Sequence, residues 1–192
     1  MAKKTEKDLK STIVLKALEQ AEQMGWANVA LSDVAEAAGV SLAELFDLVE
    51  DKADILALFG RMIDRRVLEA VSKSDPSVSE RDRLFDIMME RYEALNDYRA
   101  GLVSILESFR FDPKQALISA PHLCRSMSWM LEAAGLETSG VRGALKVAGL
   151  TGVYLKTLRV WRDDESADLS RVMAALDKDL GRAEQFANTL GF

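Results

Sequence analysis

Leu31-Ser32-Asp33-Val34-Ala35-Glu36-Ala37-Ala38-Gly39-Val40-Ser41-Leu42-Ala43-Glu44-Leu45-Phe46 is the stretch that decides the fold of this chain. Its spacing predicts a short helix from about Leu31 to Ala38, stopped by Gly39, and a second from about Leu42 to Val49. Ser41 is a good N-cap for the second, and Glu44 three residues on completes a capping box. Gly39 supplies the positive φ that a tight turn needs, and Val34, Ala35, Ala38, Val40 and Leu45 are placed to pack the two helices together. Upstream, Val14, Ala17, Leu18, Ala21 and Met24 recur on one face of a first helix, which Gly25 ends. Three short helices with a glycine turn between the last two have helix-turn-helix geometry.

Working outward, Ile55, Leu58, Phe59, Met62, Ile63 and Val67 mark a longer fourth helix. The segment from Ser72 to Ser79, with Pro76 inside it, is the clearest break in the chain. The expected organisation is a head over residues 1–52, a linking helix over 53–74 and a second domain over 77–192. Beyond the break, Leu84, Met88, Tyr92 and Leu95 form one helical stripe, and Leu102, Ile105, Leu106 and Phe109 another. Pro113 and Pro121 flank or kink the element carrying Leu123, Met127, Met130 and Leu131. No convincing period-2 strand occurs, so the fold class is all-α. The last two helices carry long apolar faces. Val147, Leu150 and Leu158 on one, with Leu169, Val172, Met173, Leu176 and Leu180 on the other, are the expected interface of a two-fold homodimer closed as a four-helix bundle.

The order of these features resembles the N-terminal domain of the TetR family of transcriptional regulators. The residues that carry the resemblance are Met24-Gly25-Trp26, the stretch from Leu31 to Ser41, Leu45-Phe46, and Asp51-Lys52-Ala53-Asp54-Ile55-Leu56, covering about residues 10 to 60. Membership implies an all-helical homodimer whose C-terminal domain encloses a small-molecule pocket, with ligand binding altering the separation of two DNA-reading heads. It also implies that Ser41, Leu42, Ala43 and Phe46 face the major groove of operator DNA, Phe46 standing where the family often carries a tyrosine. Lys52 and an N-terminal arm with Lys3, Lys4 and Lys7 would hold phosphates.

Charge sets a condition on that reading. The 192 residues carry 25 Lys+Arg against 31 Asp+Glu, a net −6, so the chain has no general basic coat and DNA binding needs a local basic feature. From Leu31 to Lys52 the acids are Asp33, Glu36, Glu44, Asp47, Glu50 and Asp51 against the single base Lys52, a net −5. Residues 1–16 carry Lys3, Lys4, Lys7, Lys10 and Lys16 against Glu6 and Asp8, a net +3. Phosphate neutralisation supplies most non-specific affinity for duplex DNA, so the arm is either the phosphate clamp that the resemblance implies or a solvated, frayed terminus.

A second resemblance lies over roughly residues 150 to 180, where Trp161, Asp164 and Ser166 match a junction in a TetR-fold lipid-binding protein family of ubiquinone biosynthesis. It implies an alternative: a lipid or isoprenoid carrier with a head that does not bind DNA, and peripheral membrane contact only in that case. The residues themselves suggest a simpler role, with Ser166 capping the last helix and Trp161 packing under the turn.

In either reading the ligand is small and apolar or lipid-like. Phe85, Met88, Met89, Tyr92 and Phe109 are adaptable or aromatic groups suited to it, as are Met127, Trp129, Met130 and Tyr154, and His122 could bond a polar ligand head. The single histidine, His122, and single cysteine, Cys124, exclude a histidine-rich metal site and an internal disulfide framework. There is no phosphate-cradling glycine loop, no serine-histidine-aspartate set and no paired carboxylates in an apolar setting, so neither enzyme chemistry nor a cofactor is expected. The first residues are basic with no apolar run behind them, and no stretch reaches 18 uninterrupted apolar residues, so the expected setting is cytoplasmic.

Overall fold

The computed structural model of the chain describes residues 5–71, 77–110, 113–166 and 168–190. Among these the regular structure is helical, with no strand. The elements are α1 (Glu6–Met24), α2 (Leu31–Ala38), α3 (Leu42–Phe46), α4 (Lys52–Ala70), α5 (Glu80–Asn96), α6 (Arg99–Ser108), α7 (Pro113–Ala133), α8 (Gly140–Arg162) and α9 (Ser170–Leu190). A single 3-10 turn, Trp26–Asn28, joins α1 to the next segment. The expected break at 72–79 falls mostly outside the described residues. Pro121 lies inside α7 and does not end it.

Two compact units emerge, Met1–Ile63 with Leu95–His122, and Asp64–Ala94 with Leu123–Phe192. They are interleaved along the chain, whereas the sequence reading cuts it consecutively. The reason is visible inside the first unit, where α6 completes the core begun by α1. Ile13, Val14, Ala17, Leu18 and Ala21 form the buried face of α1. Gly101 of α6 sits so close that a Cβ there would lie 2.6 Å from the Leu18 carbonyl oxygen. No other residue type permits that approach. Trp26, 1% exposed, donates its backbone N–H to Ser104 Oγ (2.9 Å) and its indole N–H to Gln115 Oε1 (3.3 Å). Phe59 meets Tyr98 edge-on, ring centroids 5.4 Å apart.

The second unit is built on buried Leu84, Ile87, Met88, Met127, Met130 and Leu131, with Leu150, Tyr154, Trp161, Val172 and Leu176 from α8 and α9. Its α8–α9 junction departs from the expected single serine cap. Asp164, almost fully buried, accepts from the Val172 N–H at 3.0 Å, the Ser166 N–H at 3.1 Å and the Ser166 hydroxyl at 2.5 Å. Ser166 Oγ in turn accepts from the first helical N–H, that of Ser170, at 3.2 Å. Burial pushes the Asp164 carboxyl up, but these donors and the Arg171 backbone outweigh it and hold the group below its ordinary range. Trp161, fully buried, lies directly before this turn.

Candidate functional site

The head is a helix-turn-helix. Asp33 accepts from the Ala30 N–H at 2.8 Å and so fixes the start of α2. Gly39 closes α2 in the left-handed region at φ 70°, ψ 35°, while the Val40 N–H donates to Ala35 O (3.0 Å). Ser41 and Glu44 form the reciprocal capping box of α3, the Glu44 N–H donating to Ser41 Oγ (3.2 Å) and the Ser41 N–H to Glu44 Oε2 (2.9 Å). The Ser41 backbone and hydroxyl donors hold the Glu44 carboxyl below its usual range. Asp51 Oδ1 accepts from the N–H groups of Ala53 and Asp54, starting α4. Half of the acids that make this segment so negative are therefore helix caps.

Val34, Ala35, Leu45 and Val49 are buried, and Ala38 and Val40 half-buried, so the expected packing face is the one the two helices share. The outward side of α3 carries apolar groups beside the exposed Glu44: Leu42 is 57% and Phe46 76% exposed, with Ser41 and Ala43 also exposed. Ser41 donates its hydroxyl to Glu44 Oε2 at 2.8 Å, so both polar groups are engaged with each other, and Leu42, Ala43 and Phe46 are the exposed apolar groups beside them.

The lysines expected to clamp phosphate have different surroundings. Lys52 turns into the head, its ammonium donating to Trp26 O at 2.5 Å and Val29 O at 2.8 Å and lying 4.4 Å from the Trp26 ring centroid. From Glu6 onward the arm is helical, so its lysines ride on α1. Lys10 pairs with Glu6 and Lys16 with Glu19, each at 2.6 Å, while Lys7 is exposed. Lys3 and Lys4 lie outside the described residues.

The residues expected to hold a ligand divide between the units. Phe109, half-buried, and His122, exposed, belong to the first. In the second, Met88, Met89, Tyr92, Met127, Met130 and Tyr154 are buried, Phe85 is half-buried, and Trp129 is 52% exposed. Sequence reasoning missed the polar centre of this unit. Arg91 of α5, 3% exposed, donates Nη1 to Asp64 Oδ1 of α4, and Ser126 Oγ of α7 donates to the same oxygen at 2.5 Å. The guanidinium carbon lies 5.2 Å from the Tyr154 ring centroid, and Tyr154 stacks on Tyr92 at 5.7 Å. The Tyr92 hydroxyl bonds Thr157 Oγ1 and donates to the Tyr154 carbonyl at 3.3 Å. Burial works against the Arg91 charge, but Tyr154 and Asp64 more than offset it and raise the group above its ordinary value. Burial raises the Tyr92 hydroxyl well above its ordinary value. A lone arginine among methionines was the only sequence signal, and charge in an apolar helical stripe reads as a surface position until its partner is known.

On α8 and α9 the expected interface residues mostly face inward. Leu150, Leu169, Val172, Leu176 and Leu180 are buried within the unit, Val147 and Leu158 are half-buried, and Met173 is exposed. The outward stripe of α8 is instead Val141 (79% exposed), Leu145 (48%), Ala148, Gly152 and Leu155, at helical spacing. Met173 and Phe186 are the exposed large apolar side chains of α9. Among the described residues no cluster of three or more histidine, cysteine or acidic side chains could hold a metal, and no helix is long and apolar enough to cross a membrane.

Among solved structures, the chain is similar to a TetR transcriptional regulator from Nitrosomonas europaea, with a TM-score of 0.72, 25% identity, and coverage of 92% of this chain and 98% of that one. A TetR transcriptional regulator from a Rhodococcus species aligns with a TM-score of 0.68 at 18% identity, covering 91% of this chain and 94% of that one. No family model matches the sequence, and no curated protein matches it. The lipid-binding resemblance of residues 150–180 finds no support in these comparisons. The structure explains the three matching residues, Trp161, Asp164 and Ser166, as the cap and core of the α8–α9 junction.

Proposed function

We propose, from the premise that this chain has the fold of the TetR-family transcriptional regulators, that it is a ligand-responsive regulator that reads duplex DNA with α3. The observation that carries the reading is the helix-turn-helix itself: a left-handed Gly39, a boxed N-terminus on α3, and Leu42, Ala43 and Phe46 left bare beyond it. An exposed phenylalanine flanked by other exposed apolar groups is expensive in water and is the kind of surface that a partner covers.

Contact with DNA divides into two kinds. Base reading falls to Leu42, Ala43 and Phe46, whose apolar surface suits thymine methyl groups in the major groove. Phosphate neutralisation falls to the lysines near the N-terminus: Lys7 on α1, with Lys3 and Lys4 before it. Lys52 supports this indirectly by holding the Trp26 turn that carries α2. The protein acts as a homodimer through the outward stripe of α8 and the exposed apolar groups of α9, which close into a four-helix bundle with a second copy. A small apolar effector binds within the methionine-rich second unit.

The test is selection of bound duplexes from a random library, followed by a salt titration on the winning sequence. The expected result is an enriched half-site repeated with two-fold symmetry and a log-log salt slope of about −0.9 per phosphate neutralised. Changing Lys3, Lys4 and Lys7 to alanine flattens the slope. No enrichment, with negligible affinity at low salt, overturns the reading.

A further inference from the structure

The polar centre of the second unit leaves one buried atom without a hydrogen-bond partner. Asp64 accepts from both Arg91 and Ser126, and the Tyr92 hydroxyl is bonded to Thr157. Among the described residues, the one buried side-chain nitrogen or oxygen without a hydrogen-bond partner is Arg91 Nε. Arginine is the most demanding donor in a protein, with five N–H groups in a rigid planar fork. A buried one with an unanswered N–H is rare in folded proteins, and such an atom calls for an explanation.

We infer that Arg91 Nε–H is the recognition group for the effector, and that the effector is an uncharged, largely apolar molecule presenting one acceptor oxygen, of the ketone or ester class. Charge balance sets the first property. Arg91 and Asp64 already neutralise each other, so an entering carboxylate would leave a net negative charge buried without a partner. A neutral oxygen satisfies Nε–H at no such cost. The surroundings set the second property. Met88 lies three residues before Arg91 on α5, Met130 lies four after Ser126 on α7, and both, with Met127, are fully buried. Thioether side chains are unbranched and deformable, so they re-pack around an apolar body more readily than branched ones.

The same guanidinium gives the site a consequence. Nη1 holds Asp64, which lies twelve residues into α4 from Lys52, and Nε shares its plane. An acceptor seated on Nε reorients the fork as a rigid body and so alters its hold on α4. This last step rests on the regulator reading; recognition by Arg91 does not.

The experiment uses the full chain and four probes of one length: 2-octanone, methyl octanoate, octanoate and octane, with binding read by calorimetry and thermal melting. The ketone and ester are expected to bind at least tenfold more tightly than octanoate or octane. Arg91→Lys keeps a cation opposite Asp64 but has no Nε–H, so it folds and loses the tenfold preference for ketone over octane. Asp64→Asn leaves Nε in place and uncovers a positive charge, so octanoate becomes the preferred probe. The inference is overturned if wild-type protein binds octanoate as tightly as the ketone, if it binds neither the ketone nor the ester, if Arg91→Lys retains the preference, or if Asp64→Asn gains nothing for octanoate. Should Arg91→Lys fail to fold, the Asp64→Asn reversal decides alone. These readouts need no DNA, so failure to find an operator sinks the regulator reading and leaves this one standing.

Discussion

Lys52 holds Trp26 twice over: its ammonium lies 2.5 Å from the Trp26 carbonyl oxygen and 4.4 Å from the centroid of the same residue's indole ring. The residue that opens α4 thereby pins the turn that closes α1. Lys52→Met removes the charged donor from two carbonyls and the cation from the ring. The expected loss is about 3 kcal/mol in a denaturant titration, combining two charge-assisted bonds and a cation–π contact. The salt slope of DNA binding should change by less than one counterion. A full counterion lost with stability unchanged would show that Lys52 instead serves a phosphate.

Glu44 separates the two roles of acid in the head. Its box with Ser41 needs an acceptor, which glutamine also supplies, so Glu44→Gln keeps the cap and removes the charge. Melting should be nearly unchanged. Affinity for the selected duplex should rise roughly threefold at low salt and return toward wild type at high salt, as screening requires.

Readout by Leu42 and Phe46 predicts a dependence on thymine methyl groups. Replacing single thymines with deoxyuridine in the selected site removes one methyl each and should weaken binding by about fourfold, or about 0.8 kcal/mol, at each contacted position. In Phe46→Ala the affected deoxyuridine position should become neutral. Uniform insensitivity to deoxyuridine excludes apolar readout.

The outward face of α8 and the buried face of α9 should respond oppositely to a charge. Leu145 is half exposed in one chain and belongs to the proposed dimer interface, so Leu145→Glu should give a folded monomer by sedimentation. Leu176 is fully buried within its own chain, and Leu176→Glu should unfold the second unit. A dimer that survives Leu145→Glu and Val141→Glu together places the interface elsewhere.

Asp164 gives the α8–α9 junction an acid limit. Its carboxyl is held below the ordinary value near 3.8, so its stabilising contribution is complete above that value and is lost as pH falls through the lowered one. Asp164→Ala should cost about 1–2 kcal/mol near neutral pH, as loss of a helix cap does. The gap between wild type and variant should close only in strong acid. A gap independent of pH down to 2 would mean that packing under Trp161, rather than the charge, carries the effect.

The head's helix-turn-helix was legible because its signals are local. A turn glycine, a serine with a glutamate three residues on, and an apolar period each act within one or two helical turns of where they are written. The all-helical class followed from the same periodicity. Charge was legible only as a sum: the net −5 from Leu31 to Lys52 is the same whether Asp33, Glu44 and Asp51 face a ligand or cap three helices, and the structure assigns them to caps.

Everything that joins distant segments was decided in three dimensions. An apolar stripe on α8 or α9 announces a face to be covered, but both helices are apolar on more than one side. Only packing shows that Leu150 and Leu176 turn inward while Val141 and Leu145 do not. Gly101 reads as an indifferent residue until Leu18 is found behind it, and Arg91 reads as a surface charge until Asp64 and Ser126 arrive from two other helices. Sequence alone determined which helices form and where the head turns, since those free energies are set by neighbours in the chain. That Arg91 becomes a buried donor with an unpartnered Nε depended on which side chains the fold brings together out of water, and that is a property of the tertiary structure.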